Sequence, residues 1–168
     1  MPPSTATSPS SSPSPATVPG FRIRRARRGD AEALASLLRE LGFPDGSDTQ
    51  TVHWVTSHPE IEIFVACDAQ DRPVGMISLS HRPQLRLKGR IATVDELVVT
   101  EAWRRRGVGR ALLLHAIERT RVLSVKRLEL AARCAQAQGD GLARFYQACG
   151  FVEDCVVFHH GGLEGQRP

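Results

Sequence analysis

The segment Val98-Val99-Thr100-Glu101-Ala102-Trp103-Arg104-Arg105-Arg106-Gly107-Val108-Gly109-Arg110-Ala111-Leu112-Leu113 limits the folds open to this chain more than any other. It reads as an apolar strand, a basic loop with two glycines, and the start of a helix. The first N–H groups of a helix have no partner inside it, and the helix dipole places partial positive charge at that end. Glycines let an anion approach the backbone closely. Arg104, Arg105, Arg106 and Arg110 add formal charge and forked donors. A strand that feeds such a loop belongs in an α/β arrangement, and the loop suits a pyrophosphate.

Two common phosphate loops do not fit. The dinucleotide fingerprint needs a third small residue, and Leu112 stands in that place. No acidic residue follows in a ribose-gripping context, and the Gly-Lys-Ser/Thr ending of a P-loop is absent. What remains is Arg104-x-x-Gly107-x-Gly109. This pattern resembles motif A of the GNAT superfamily, the acetyl-CoA-dependent N-acetyltransferases. A second segment, Ala143-Arg144-Phe145-Tyr146-Gln147-Ala148-Cys149-Gly150-Phe151, is similar to that family's later signature, a tyrosine-bearing helix closed by Gly-Phe. The two come in the family's order, and the resemblance spans roughly Phe21 to His160.

Composition bounds the rest. Residues 21–168 suit one domain with a real core, expected to be the N-acetyltransferase domain. Of the first 20 residues, 15 are Pro, Ser or Thr and none is charged. Such a segment cannot bury enough apolar surface to offset its ordering entropy, so residues 1–20 read as a disordered tail. It lacks the charged and apolar regions of a secretory signal. No run of about 18 apolar residues suggests a membrane span. The net charge is +4, and the basic residues cluster at Arg22–Arg28 and Arg104–Arg110. Few aromatics interleave them, which favours a solvated surface with one anion site over nucleic-acid binding. Cys67, Cys134, Cys149 and Cys155 form no C-x-x-C pair, so no metal site is expected. Cys67 and Cys149 read as packing residues, and a reduced cytoplasmic setting fits. A nucleophilic Cys134 has no histidine spacing to support it. His159 and His160, adjacent on an expected strand, point to opposite faces and make a poor chelate.

Periodicity predicts a strand at Phe21–Ala26 and a helix capped by Asp30 and running to Leu41. A second helix follows over Ser47–Ser57, with Trp54 in the core. Strands are expected at Ile61–Cys67 and Pro73–Ser80, with a polar connection at Pro83–Gly89 and a strong strand at Ile91–Thr100. Next come a helix at Gly107–Arg121, a strand at Arg127–Ala132, a short helix at Gly141–Cys149 and a last strand or hairpin piece at Phe151–His159. Trp103 is placed to pack under the loop. The fold class is therefore α/β (α+β): a GNAT-like mixed central sheet flanked by helices on both faces.

Amide formation from a thioester requires an amine that loses a proton, donors for the oxyanion, and a proton for a thiolate whose pKa is about 8.5. The resemblance implies the following assignments. The Leu97 N–H stabilises the oxyanion, and Val98 and Val99 hold the pantetheine arm. Arg104, Arg105, Arg106, Gly107, Val108, Gly109, Arg110 and Ala111 wrap the pyrophosphate. Tyr146 protonates the leaving thiolate. For the base, strand alternation sets Asp95 and Glu96 on opposite faces, Asp95 with Thr93 and Leu97, Glu96 with Ala92, Val94 and Val98. Asp95 is preferred as base or amine anchor, with Glu96 the other candidate and water relay an alternative. Many family members carry an Asn where this chain has Gly139-Asp140, which leaves the usual Asn contact with the pantetheine arm unsupported. The expected activity is transfer of an acetyl group from acetyl-CoA to a primary amine of a small molecule or peptide, in a ternary complex. The other reading is a non-catalytic acyl-CoA-binding sensor or partner domain. Resembling proteins often pair through their C-terminal strands, so a homodimer is compatible with either.

Overall fold

A computed structural model of the chain describes residues 20–43, 48–131 and 141–154. The elements are β1 (Arg22–Arg25), α1 (Ala31–Leu41), α2 (Thr49–Thr56), β2 (Ile61–Cys67), β3 (Pro73–Gln84), β4 (Gly89–Val99), α3 (Val108–Val122), β5 (Val125–Leu130) and α4 (Gly141–Ala148). The strands lie in the order β1-β2-β3-β4-β5. β1 to β4 pair antiparallel, and β5 joins β4 in parallel after the α3 crossover.

Helices cover both faces, as expected. On one face α1 buries Leu34, Ala35 and Leu37 against Ile63, Val65, Met76 and Val98. On the other, α3 buries Val108, Leu112, Leu113 and Ala116 against Phe64, Ile77, Leu79 and Val94, with Phe145 and Tyr146 of α4 at the margin. The period-2 alternation of β2 and β3 supplies both faces, since each strand is apolar on both sides. Two ionic ties lock the layers. Arg119 of α3 grips the buried Glu62 of β2 through two hydrogen bonds of 2.7 and 2.8 Å. Arg24 of β1 binds both oxygens of Asp30 at 2.7 and 2.9 Å and Asp71 of the β2–β3 turn at 2.8 Å.

Several local expectations change. Asp30 precedes α1, but its carboxylate accepts from the Arg27 N–H at 2.7 Å and from Arg24 rather than capping α1. It closes the single 3-10 turn Arg28–Asp30 instead. Asp48 caps α2 through the Thr51 N–H at 2.8 Å. Trp54 is 69% exposed and not core, because α2 turns Val52, and in part Val55, toward the sheet and leaves Trp54 on its outer side. The polar connection at Pro83–Gly89 is smaller than expected: β3 continues to Gln84, a 3-10 turn spans Leu85–Leu87, and β4 begins at Gly89. Pro83 is tolerated because β2 stops pairing at Ser80, which leaves this end of β3 at a sheet edge. Phe151–Asp154 is not strand. The remainder of that expected strand lies outside the described residues, as do the 1–19 portion of the tail, Cys134, Asp140, Cys155, His159 and His160.

Candidate active site

The two halves of β4 have different neighbours. β5 pairs with Arg90 to Val94 and no further. From Asp95 to Val99, β4 is held by β3 alone among the described residues. The N–H groups of a strand point alternately to its two sides. Thr100 N–H donates to the Val74 carbonyl of β3 at 2.9 Å, and Glu96 N–H donates to the Ser78 hydroxyl of β3 at 3.0 Å. Val98 N–H therefore points toward β3, and the N–H groups of Leu97 and Val99 point to the open side. The Val99 carbonyl faces that side too, where it accepts from Arg104 Nε at 2.9 Å. Buried amides are almost always paired, so two mid-sheet donors with no partner among the described residues suit an extended ligand backbone.

The chain turns from this edge into α3 through Arg104–Gly107. Arg105 and Gly107 both hold positive φ, 61° and 81°. Gly107 occupies the helix N-cap position, and no side chain caps the helix. The first amides of α3 are thus left for a ligand. Gly109 lies between β4 and α4, where a Cβ would stand 3.7 Å from both Val99 and Phe145. Trp103 packs against the core margin and carries the Arg106 guanidinium 5.3 Å from its ring centre. Arg105, Arg106 and Arg110 have no carboxylate partner among the described residues, whereas the arginines of β1 pair with Asp30, Glu62 and Asp71. Unpaired guanidinium groups beside uncapped amides fit a pyrophosphate. An Arg-rich loop that served only solubility would give no reason for the free edge beside it.

Tyr146 of α4 is half-buried. Its ring packs edge-on to Phe145 and Phe151, with centroids 5.1 and 6.1 Å away. Burial raises its phenol above the ordinary value, so the hydroxyl stays protonated as a donor. No hydrogen bond to that hydroxyl occurs among the described residues.

The carboxylates lie where β4 bulges. Ser78 pairs with Glu96, but Leu79 pairs with Val94, so Asp95 is an extra residue. Alternation resets across it. Val94 and Leu97 face α3, while Glu96 and Val98 face α1. The expected opposite placement of Asp95 and Glu96 is overturned. Ser78 and Ser80 lie two residues apart on one face of β3, and they hydrogen-bond Glu96 and Asp95 respectively. Burial raises the carboxyl of Glu96, Ser78 partly opposes this, and the neighbouring Asp95 raises it further. Asp95 is exposed at the residue level, yet the surrounding protein still raises its carboxyl, against the hydrogen bond from Ser80 at 3.1 Å. Sequence reasoning missed both serines. Their signal was an alternating polar pair, Ser78-x-Ser80, inside an otherwise apolar strand.

His115, the other ionisable group near the core, stacks edge-on to Phe64 at 4.6 Å. Burial lowers its pKa, and it lies beside the Glu62–Arg119 pair rather than the carboxylates. Among the described residues no group of His, Cys, Asp and Glu could hold a metal ion.

A strand edge with outward-facing amides, next to an uncapped helix start, has the shape and charge that suit a long donor phosphorylated at one end. The family follows from comparison with known proteins: the model of the Acetyltransferase (GNAT) family matches residues 31–151, and the chain belongs to that family. It is accordingly an N-acetyltransferase by fold and family, and GNAT enzymes use acetyl-CoA as co-substrate. No curated protein matches the sequence. Among solved structures, the chain is similar to a proposed acetyltransferase from Agrobacterium tumefaciens C58, at 28% identity and a TM-score of 0.72, over 83% of this chain and 98% of that one. A transcriptional regulator from Bacillus halodurans C-125 aligns at 25% identity and a TM-score of 0.69, over 83% and 99%. An aminoglycoside acetyltransferase from an uncultured soil metagenomic sample shares the fold at 19% identity and a TM-score of 0.71, over 86% and 97%.

Proposed function

We propose that this protein transfers an acetyl group from acetyl-CoA to a primary amine of a small molecule or peptide, by direct attack in a ternary complex. The observation that carries this reading is the half of β4 that has no second strand beside it among the described residues, with the Leu97 and Val99 N–H groups directed away from β3 and the uncapped start of α3 next to Val99.

Acetyl-CoA, when bound, supplies an activated thioester. The residues of the chain do the rest. Amides of Val108, Gly109 and Arg110, with Arg104, Arg105, Arg106 and the turn at Gly107, hold the pyrophosphate, and Ala111 follows on the first turn of the helix. Val98 and Val99 line the arm's track, and the Val99 N–H binds it as a strand neighbour would. The Leu97 N–H donates to the carbonyl oxygen as it gains negative charge, which matters most in a site that excludes water. Glu96 is the better base of the two carboxylates, because burial and Asp95 both raise it toward the working pH. Asp95, beside it and more exposed, holds the incoming ammonium group. Tyr146 gives its phenolic proton to the departing thiolate.

Aminoglycosides are acceptors of one protein with this fold, so they belong in a substrate panel beside simple amines and peptides. The two free cysteines among the described residues, Cys67 and Cys149, agree with a cytoplasmic setting, which is part of the proposal. Among the described residues no helix is long and apolar enough to cross a membrane.

Calorimetric titration with acetyl-CoA tests the reading directly, beside a Gly107→Trp variant that obstructs the loop. Binding by the wild type and its loss in the variant support the site, and thiol release across an amine panel then identifies the acceptor. Absence of binding to the wild type rejects the proposal. Binding without turnover on any amine points to the sensor reading instead.

A further inference from the structure

We propose that Ser78 is a positioning residue for the amine-activating carboxylate, a hydroxyl locked by the strand bulge so that its proton points permanently at Glu96. The inference rests on the acetyl-transfer reading above.

A serine hydroxyl has one proton and two acceptor sites, and it normally rotates to suit its surroundings. Ser78 cannot. It is buried, with 2% of its surface exposed. The Glu96 N–H donates to its oxygen at 3.0 Å. With that acceptor site occupied, the hydroxyl proton goes to Glu96 Oε2. Both ends of one residue thus bind one serine, and the bulge makes this geometry available. In a regular ladder the N–H of a β4 residue directed toward β3 would meet a backbone carbonyl. Here, beside the register shift that makes Asp95 an extra residue, the Ser78 side chain also stands within hydrogen-bond reach of the Glu96 N–H.

The chemical consequence follows from the direction of the bond. A donor fixed on a carboxylate favours its charged form. It counters burial and the negative charge of Asp95, both of which favour the protonated form. Other charged groups on this face are engaged elsewhere or exposed. In α1, Glu40 accepts from Thr100 at 3.0 Å, while Glu32 and Arg39 are exposed and α1 turns Leu34, Ala35 and Leu37 inward. α2 carries His53, and His58, just past its end, accepts from the Glu60 N–H through Nδ1. In β5, Glu129 is paired with Arg127 at 2.7 Å. Neighbouring Ile63 of β2 is apolar, and Ser80 serves Asp95. Ser78 is therefore the group that keeps a shielded glutamate able to accept a proton near neutral pH.

The test is a pair of variants, Ser78→Ala and Ser78→Thr, read two ways. In the steady state, Ser78→Ala should lower kcat/KM at pH 7 by about three- to tenfold, with the wild-type value recovered at higher pH, because a lost donor makes Glu96 harder to ionise. Ser78→Thr, which keeps the hydroxyl, should restore the wild-type pH profile. A loss of equal size at every pH, or an unchanged profile in Ser78→Ala, overturns the proposal. Independently of turnover, 13C NMR of the labelled Glu96 carboxyl in the protein without co-substrate should show its titration moved upward in Ser78→Ala and restored in Ser78→Thr. An unmoved titration rejects Ser78 even if the enzyme is active. A moved titration in a protein that transfers no acetyl group supports the Ser78 assignment while the acetyl-transfer reading fails.

Discussion

At the residue scale, the sharpest division is between side chains whose type announced them and side chains whose neighbours made them. Tyr146 was legible because a single tyrosine sits in a short helix closed by Gly150-Phe151, and the structure half-buries it between two phenylalanines. Replacing it by Phe keeps that packing and removes the proton. Turnover of Tyr146→Phe should fall by about a hundredfold with KM nearly unchanged, as rapid-quench or thiol-release kinetics would show. Near-normal turnover removes the acid role from Tyr146. Asp95 and Glu96 were legible as carboxylates on a strand but not as a pair, since alternation assigns them to opposite faces. A bulge adds one residue and leaves no mark in composition, so the reset after Val94 cannot be read from Asp95 or Glu96 alone. Trp54 failed for a related reason. A large aromatic at helical spacing favours the core only if the helix has a second surface to bury it, and α2 covers the sheet edge with Val52 alone among its fully buried residues.

At the element scale, β4 is one strand by hydrogen bonding and two by surroundings. The first part is paired on both sides, the second on one side only among the described residues. The sequence shows the whole as one strong apolar run, because shared apolar character on both faces hides the change of neighbours. The long β3–β4 hairpin was similarly hidden. Pro83, read as the start of a polar connection, is compatible with a strand that has lost its β2 partner by that point. A less obvious requirement lies at Gly75, opposite Val99. A Cβ there would meet the Val98 carbonyl at 3.0 Å, Val99 Cγ2 at 3.2 Å and Leu112 Cδ1 at 3.4 Å. Close packing of α3 onto the end of β4 thus depends on a missing side chain. Gly75→Ala should cost about 1–3 kcal/mol of stability and weaken co-substrate binding as the strand end shifts, measured by thermal melting and calorimetry. An alanine variant of wild-type stability and affinity shows that the contact relaxes freely.

At the scale of the whole molecule, ionic ties join layers that apolar packing alone would leave free to slide. Arg24 holds the carboxyl of Asp71 at about 2 and keeps Asp30 below its usual value, while Arg119 does the same for Glu62. Carboxylates depressed in the fold contribute stability that is fully present above their unfolded values near 4 and is lost as pH falls through the folded ones. The melting temperature should therefore drop between about pH 4 and about pH 2. Asp95 and Glu96 act in the opposite sense, since their raised values relieve the fold as they protonate. Glu62→Gln should flatten the acid decline, and an unchanged decline excludes the Glu62–Arg119 tie as a source. The unequal pairing of β4 also writes itself into time. In heavy water, the amides of Leu97 and Val99 should trade their hydrogens quickly although they lie in the middle of a sheet, while Val98 between them keeps its own. This fast-slow-fast signature needs no acceptor and no turnover, and its quenching on addition of acetyl-CoA would report, residue by residue, where along the strand the co-substrate lies.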